Sequence, residues 1–411
     1  MPDFYDSLET RDPVLREEQQ FDELKKQLHN ARDRAPAYAA ILADVDIASV
    51  NERTTLSEVP LTRKSDIAER QSQLPPLGGY AAVQMDSFYN IFASPGGIFE
   101  PGAARDDYWN FARGLHAAGV RAGDLIHNTF SYHFTPAGLM VDSAARAIGC
   151  PVFPGGIGQT ELQVQVMARL KPRAYCGTPS FLKIILDKAA EMEIPVNSLS
   201  LGLVGGEALP GSLRTELSDS GVDVVQFYGT ADLGMVAYES SAREGMILEE
   251  KVIVEIVRPG TGDPVPEGEV GEIVVTTLSP EYPLIRFATG DLSAFMSGNS
   301  PCGRTNRRIK GWMGRADQTA KVRGMFVHPS QVASVVSRHA ELLRARLVID
   351  RVDNQDVMTL KCEIENNQES IEQLIEQSVR DICKLRAVIE LCPVGALPND
   401  GVVIEDSRPL D

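Results

Sequence analysis

Between about Asn90 and Gly290, short apolar runs alternate with amphipathic stretches. Leu125-Ile126, Pro151-Val152-Phe153, Ala174-Tyr175-Cys176, Leu199 to Val204 and Val222 to Phe227 read as strands, with helical patterns at Leu162 to Leu170 and Ser180 to Met192 between them. Strands that take turns with helices bury their apolar faces as a helix-covered sheet, so the pattern predicts an α/β fold with a large layered domain. A β-rich subdomain is expected next, from Lys251 to Arg258, a Pro/Gly-rich turn at Pro259 to Gly268, and Glu272 to Thr277. Upstream, Leu15, Phe21, Leu24, Leu28, Ala31 and Ala35 fall near helical spacing until Pro36 interrupts them. Downstream of Gly314, Ser330 to His339 and Ser370 to Leu385 read as helices, and Arg346 to Asp350 and Met358 to Glu365 as a hairpin across Asp353-Asn354-Gln355. That tail predicts a small α+β C-terminal domain, giving two domains, 1–316 and 317–411.

With 411 residues and 43% hydrophobic content the chain can bury a core of that extent. A formal charge of −17, from 40 basic and 57 acidic residues, has the wrong sign for a nucleic acid or an anionic membrane, so a small molecule is the expected ligand. The six cysteines, 150, 176, 302, 362, 383 and 392, form no Cys-x-x-Cys pair and sit mostly among apolar neighbours. Reduced thiols and a cytoplasmic location follow as expectations. No apolar stretch approaches the roughly 20 residues of a membrane helix, and no targeting segment is expected.

Phe227-Tyr-Gly-Thr-Ala-Asp232-Leu-Gly, Thr289-Gly-Asp291 and Gly314-Arg315-Ala-Asp317 together look like a nucleotide site. With Leu56-Ser-Glu-Val-Pro-Leu-Thr62, Phe134-Thr135, Gly177-Thr-Pro-Ser180, Gly205-Gly-Glu-Ala208, Arg286-Phe-Ala-Thr-Gly-Asp291, Cys302-Gly-Arg-Thr305 and the run Arg323 to Gln331, the chain resembles the phenylacetate-CoA ligase branch of the adenylate-forming enzymes over most of its length. The resemblance implies an AMP-binding domain at 1–316 and a mobile lid at 317–411. It implies activation of an aryl or arylacetic acid by ATP through an acyl-adenylate, then transfer to coenzyme A or a carrier-protein thiol.

Site roles follow from the same resemblance. Gly205, Gly206 and Glu207 at a strand's carboxyl end would let an adenine approach the backbone. Phe227, Tyr228, Gly229 and Thr230 would form the base and phosphate segment, with Tyr228 stacking on the base and the Thr230 hydroxyl toward the phosphates. Asp232 stands where the family carries a Glu that helps hold Mg2+, and Asp291 would accept hydrogen bonds from the ribose hydroxyls. Arg315 would contact phosphate or ribose, Arg323 would add a ligand contact, and Asp317 would be the lid's hinge. Tyr132, His133, Phe134 and Pro136 map onto the acyl-substrate segment. His133 could meet a polar substituent on the acid or make a core hydrogen bond. A homodimer is expected on resemblance alone.

Two departures touch phosphate chemistry. The family's phosphate loop is rich in Ser, Thr and Gly and ends in Lys, whereas this chain has Ala93-Ser-Pro-Gly-Gly-Ile-Phe-Glu-Pro101. Ser94 and Gly96 persist, Gly97 replaces a threonine, and Glu100 takes the lysine's place. Two unit charges at contact interact by about 1 to 4 kcal/mol, so a reversed sign would weaken triphosphate binding unless Glu100 turns into solvent. The family's C-terminal Gly-Lys pair is also missing, since Leu397-Pro-Asn-Asp-Gly401 runs into Val402-Val403-Ile404. The resemblance implies ATP/AMP, Mg2+ and coenzyme A as cofactors. No zinc is expected, because Ser240, Met246 and Ser300 leave only Cys302 where some relatives carry a Cys/His cluster. The alternative function is a degenerate homologue that binds a nucleotide, an acyl-adenylate or an aromatic acid without efficient adenylation.

Overall fold

In a computed structural model of the chain, the structure describes residues 4–94, 97–259, 261–316, 318, 320–322, 325–352, 355–365, 371–398, 400 and 402–408. Ile126–Asn128, Val152–Pro154, Ala174–Gly177, Leu201–Val204 and Asp223–Thr230 form strands, close to the apolar runs that predict them. They pair in parallel, in the spatial order 152–154, 126–128, 174–177, 201–204, 223–230. Successive side chains face opposite sides. Cys176, Leu203 and Val225 therefore join one apolar cluster, while Tyr175, Val204 and Val224 join another.

Both faces are covered, which is why these strands read as unbroken apolar runs rather than as alternation. Helix Ala137–Ile148 places Met140, Val141, Ala144 and Ala145 in the first cluster. Helices Thr160–Leu170, Pro179–Glu191 and Gly211–Asp219 supply Val164, Met167, Leu182, Ile185, Ala189 and Leu217 to the second. Helix 137–148 stops at Gly149, whose φ of 86° is left-handed and whose amide donates to the Ala145 carbonyl at 2.9 Å. Beyond strand 223–230 the sheet turns antiparallel through Gly234–Tyr238, Met246–Leu248, Arg308–Ile309 and Phe295–Met296, reaching nine strands.

The first helix, Pro13–Arg34, starts where Asp12 accepts hydrogen bonds from the Val14 and Leu15 amides, at 2.8 and 3.1 Å. Its buried stripe mixes Phe21, Leu24 and Leu28 with Arg16, Gln20 and Gln27. The polar members are matched: Arg16 Nε lies 3.1 Å from Glu250, and Gln27 donates to the Ser279 carbonyl at 2.6 Å. A separate four-stranded sheet is ordered Thr62–Arg63, Phe287–Ser293, Gly271–Thr277, Val252–Val257.

The chain divides into two compact units, one of residues 1–255, 274–289 and 295–312, the other of 256–273, 290–294 and 313–411. In the second, strands Leu342–Val352 and Gln355–Ile364 form an antiparallel hairpin with Leu347 opposite Leu360 and Ile349 opposite Met358. Val388–Cys392 and Ile404–Asp406 flank it in parallel, and helices Pro329–Ser337 and Ile371–Cys383 add Val332, Val335, Ile375 and Val379 to its core. The hairpin strands begin before their predicted runs because pairing continues through polar residues such as Arg344 and Asp356.

Candidate active site

At the carboxyl ends of the parallel strands, the two segments taken as nucleotide-binding meet each other. A Cβ on Gly205 would lie 2.5 Å from the Phe227 ring, so the glycine is required by the packing of that ring. Phe227 in turn meets Phe111 and Phe130 edge-on, with centroids 4.9 and 6.0 Å apart. Gly206 has a left-handed φ of 80°, and the Glu207 carboxylate accepts from the Ser180 amide at 2.7 Å, in the first turn of helix 179–191. Tyr228 is buried on strand 223–230. A Cβ on Gly229 would meet the Gly234 carbonyl at 2.5 Å, and Thr230 Oγ1 accepts from the Leu233 amide at 3.2 Å. These contacts close the hairpin that carries Asp232.

The altered phosphate loop is the turn of a second hairpin, Phe88–Ala93 with Phe99–Ala103. The Ser94 amide donates to the Ile98 carbonyl at 3.0 Å, the Gly97 amide to the Ser94 carbonyl at 3.2 Å, and Gly97 is left-handed at φ 76°. Glu100 pairs with Phe92 across the strands. Instead of turning into solvent, it is only 3% exposed. The hairpin register sends it inward, since side chains alternate along a strand.

There it lies beside Asp232, and burial first, then the Asp232 charge, push its carboxyl up to about 8, against the opposing influence of Ser94 and Lys64. Both Glu100 carboxylate oxygens and Asp232 Oδ1 are buried without a hydrogen-bond partner among the described residues. Lys64 supplies the cation. Its ammonium is 3.3 Å from Asp232 Oδ2 and 3.5 Å from Ser94 Oγ, with the lysine side chain 38% exposed and that of Asp232 5%.

The Leu56–Thr62 and Arg286–Asp291 motifs explain how Lys64 arrives there. Thr62 pairs in parallel with Phe287, and its hydroxyl donates to the Ile285 carbonyl at 2.8 Å. Arg286, at φ 44°, pairs with Glu255 at 3.0 Å and donates to the Ser57 and Val59 carbonyls at 2.7 and 2.6 Å. Strand Thr62–Arg63 thus delivers its successor Lys64, the first residue of helix Lys64–Gln73. Sequence reasoning missed Lys64. The signal was its place directly after a recognised segment.

In the second compact unit Asp291 and Arg315, given separate tasks by the sequence, are joined. Their backbones form an antiparallel bridge, and Arg315 Nη1 lies 3.1 Å from Asp291 Oδ1. Gly290, at φ 74°, makes room for the guanidinium, because a Cβ there would lie 2.6 Å from Arg315 Nη2. Gly96, Asp317 and Arg323 lie outside the described residues.

Tyr132 and His133 line a cavity of about 320 Å³ with Ser131, Pro154, Gly155, Gly156 and Ile157, at the ends of strands 126–128 and 152–154. The Tyr132 hydroxyl donates to Asp142 at 2.7 Å and accepts from the Asn128 amide group at 2.8 Å. Phe134 is exposed with a left-handed φ of 63°, Pro136 caps helix 137–148, and neither lines that cavity. Among the described residues no group of three or more His, Cys, Asp or Glu is gathered for a metal, and no helix is long and apolar enough to cross a membrane.

A parallel sheet with this loop, a Gly-Gly-Glu turn and a Tyr-Gly-Thr segment at its strand ends defines an adenylate-forming α/β fold. The profile described as "AMP-binding enzyme" matches residues 145–279. The chain is 31% identical to the phenylacetate-coenzyme A ligase of Thermus thermophilus over 84% of its own length and 80% of the relative's, and 28% identical to that of Aromatoleum evansii over 91% and 89%. It belongs to the phenylacetate-coenzyme A ligase family. The crystal structure of 2-hydroxyisobutyryl-CoA ligase in complex with 2-HIB-AMP and CoA superposes with a TM-score of 0.72 at 22% identity, covering 99% of this chain and 93% of that one, which shows the shared fold.

Proposed function

We propose that the chain activates an aryl or arylacetic acid with ATP and passes the acyl group to coenzyme A. In the first step a carboxylate oxygen of the acid bonds to the α-phosphorus as the bond to the β-phosphate's bridging oxygen breaks and pyrophosphate leaves. In the second, the thiolate sulfur bonds to the acyl carbon, the carbon–oxygen bond to phosphate breaks, and AMP leaves. The observation that carries this reading is the gathering of Lys64, Ser94 and Asp232 at the hairpin turn of the phosphate loop. That group holds a hydroxyl and a mobile ammonium, which suit phosphate oxygens. Asp232, with one carboxylate oxygen free of hydrogen bonds, is the residue that would hold Mg2+, which when bound neutralises phosphate charge.

Asp291 accepts from the ribose hydroxyls and Arg315 keeps its carboxylate oriented, while residues 317–411 act as the lid with Asp317 as hinge and Arg323 as a further ligand contact. Gly205 to Glu207 and Phe227 to Thr230 frame the base, and the cavity walled by Tyr132 and His133 takes the acid. A cytoplasmic homodimer, with a carrier-protein thiol as the other conceivable acceptor class, completes the reading. Its test is pyrophosphate release dependent on acid, ATP and Mg2+ across benzoic, phenylacetic and hydroxylated aryl acids, followed by mass-spectrometric detection of the CoA thioester. Turnover abolished by Asp291→Ala supports the ligase. AMP binding without turnover establishes the degenerate homologue instead.

A further inference from the structure

Glu100 is the group that this reading leaves unused. A carboxylate at 3% exposure, with neither oxygen hydrogen-bonded among the described residues, is costly, because burial removes the water that stabilises its charge. Its nearest charged company makes matters worse rather than better. Asp232 is another carboxylate, itself with a buried and unmatched Oδ1, and Lys64 reaches the opposite oxygen, Oδ2, at 3.3 Å. Burial first, and in part the charge of both carboxylates, raise the pKa of the buried Tyr282 hydroxyl. Ser94 contributes a hydroxyl. Three unmatched hard oxygens from two converging carboxylates, next to one hydroxyl, are the donor set of a small divalent cation.

We propose that Glu100 and Asp232 together bind a hard divalent cation such as Mg2+, so that the charge lost with the loop's lysine is restored by a metal held by its replacement. Ligation of a metal requires both carboxylates ionised, and with Lys64 charged the three side chains alone then carry a net formal charge of −1, the wrong sign for a polyphosphate. A divalent cation turns it to +1. Mg2+ needs only one or two protein carboxylates, because substrate phosphates and water complete its octahedron. The cation also relieves the repulsion between Glu100 and Asp232 and frees Lys64 to turn toward phosphate. The use made of this charge rests on the ligase reading, but binding of the cation does not.

The experiment titrates the full-length protein with Mn2+ in the absence of ATP, acid and CoA. Free Mn2+ is followed by electron paramagnetic resonance, and melting temperature is recorded in parallel against EDTA. Wild type is expected to bind one Mn2+ at this site and to melt higher with it. Glu100→Gln is expected to weaken binding by at least about ten-fold. In EDTA the same variant should melt no lower than wild type, because Gln matches the shape and neutrality of the protonated carboxyl that burial favours there, so misfolding cannot imitate the result. Glu100→Asp keeps a carboxylate and should retain measurable binding. Equal Mn2+ affinity in wild type and Glu100→Gln, or no Mn2+ effect on the melting of wild type, would overturn the proposal and leave two carboxylates sharing a proton. Failure of acid-dependent pyrophosphate release with Mn2+ binding intact would count against the ligase alone.

Discussion

Two cation–carboxylate pairs lie within the same compact unit and do opposite things. Arg286 and Glu255 are 3% and 4% exposed, and the guanidinium also holds two backbone carbonyls of the Ser57–Val59 stretch. Lys64 and Asp232 are looser: the ammonium is more than a third exposed, it leans on one hydroxyl besides the carboxylate, and unmatched oxygens remain around it. The first pair is a staple, whose planar fork is committed to fixed partners. The second is a point charge on a flexible stem. Glu255 also keeps one buried oxygen, Oε1, without a hydrogen-bond partner among the described residues, so the difference lies in the cation. A buried guanidinium fixed by a carboxylate and two carbonyls holds the fold, and a partly exposed ammonium held by one carboxylate and one hydroxyl is left able to meet a ligand.

The largest expected effect lies on the stapled side. Arg286→Ala leaves Glu255 buried without its cation and should lower unfolding free energy by about 3 to 5 kcal/mol, measured by urea denaturation. A loss below about 1 kcal/mol would erase the distinction between the two pairs. Lys64→Met should do the reverse, costing on the order of 100-fold in pyrophosphate release while changing stability by less than about 1 kcal/mol. Lys64→Arg should recover part of the rate, and equal activity in all three proteins would make Lys64 another structural cation.

Gly290→Ala tests a third pair. The added Cβ meets Arg315 at a left-handed backbone position, so about 1 kcal/mol of stability and several-fold in AMP affinity should be lost by calorimetry. His127 gives the smallest effect. Burial holds its imidazole below the ordinary value of 6.5, against the hydrogen bond that its Nε2 donates to Gln163 Oε1. Its contribution to stability is complete above pH 6.5 and is lost as pH falls below that value, since only the unfolded chain takes up the proton readily. Melting followed from pH 7 to pH 5 should fall less for His127→Gln than for wild type.

The parallel strands were legible because both their faces are buried, which writes apolar runs into the sequence. Facing was not legible on the loop hairpin: whether Glu100 enters or leaves the core depends on its register with Phe92, fixed by pairing and not by composition. Lys64 was hidden for a different reason. It stands 168 residues from Asp232, and long-range contacts such as the pairing of Thr62 with Phe287 bring that length of chain back. Gly205 reads as room for an adenine and Gly229 as part of the base and phosphate segment, yet their immediate neighbours are an aromatic ring and a backbone carbonyl of the same unit. Residues 256–273 and 290–294 cluster with the tail because compactness follows contacts and not chain order.

The contact between Gly205 and the ring of Phe227 has a consequence for how relatives of this chain can diverge. Since the ring occupies the volume that a side chain at 205 would need, neither position can change size independently. A larger residue at 205 should be viable only alongside a smaller one at 227, and each step taken singly passes through either a clash or a hole. Drift at this edge of the sheet should therefore proceed by reciprocal exchange, leaving the two positions correlated across lineages even where each varies.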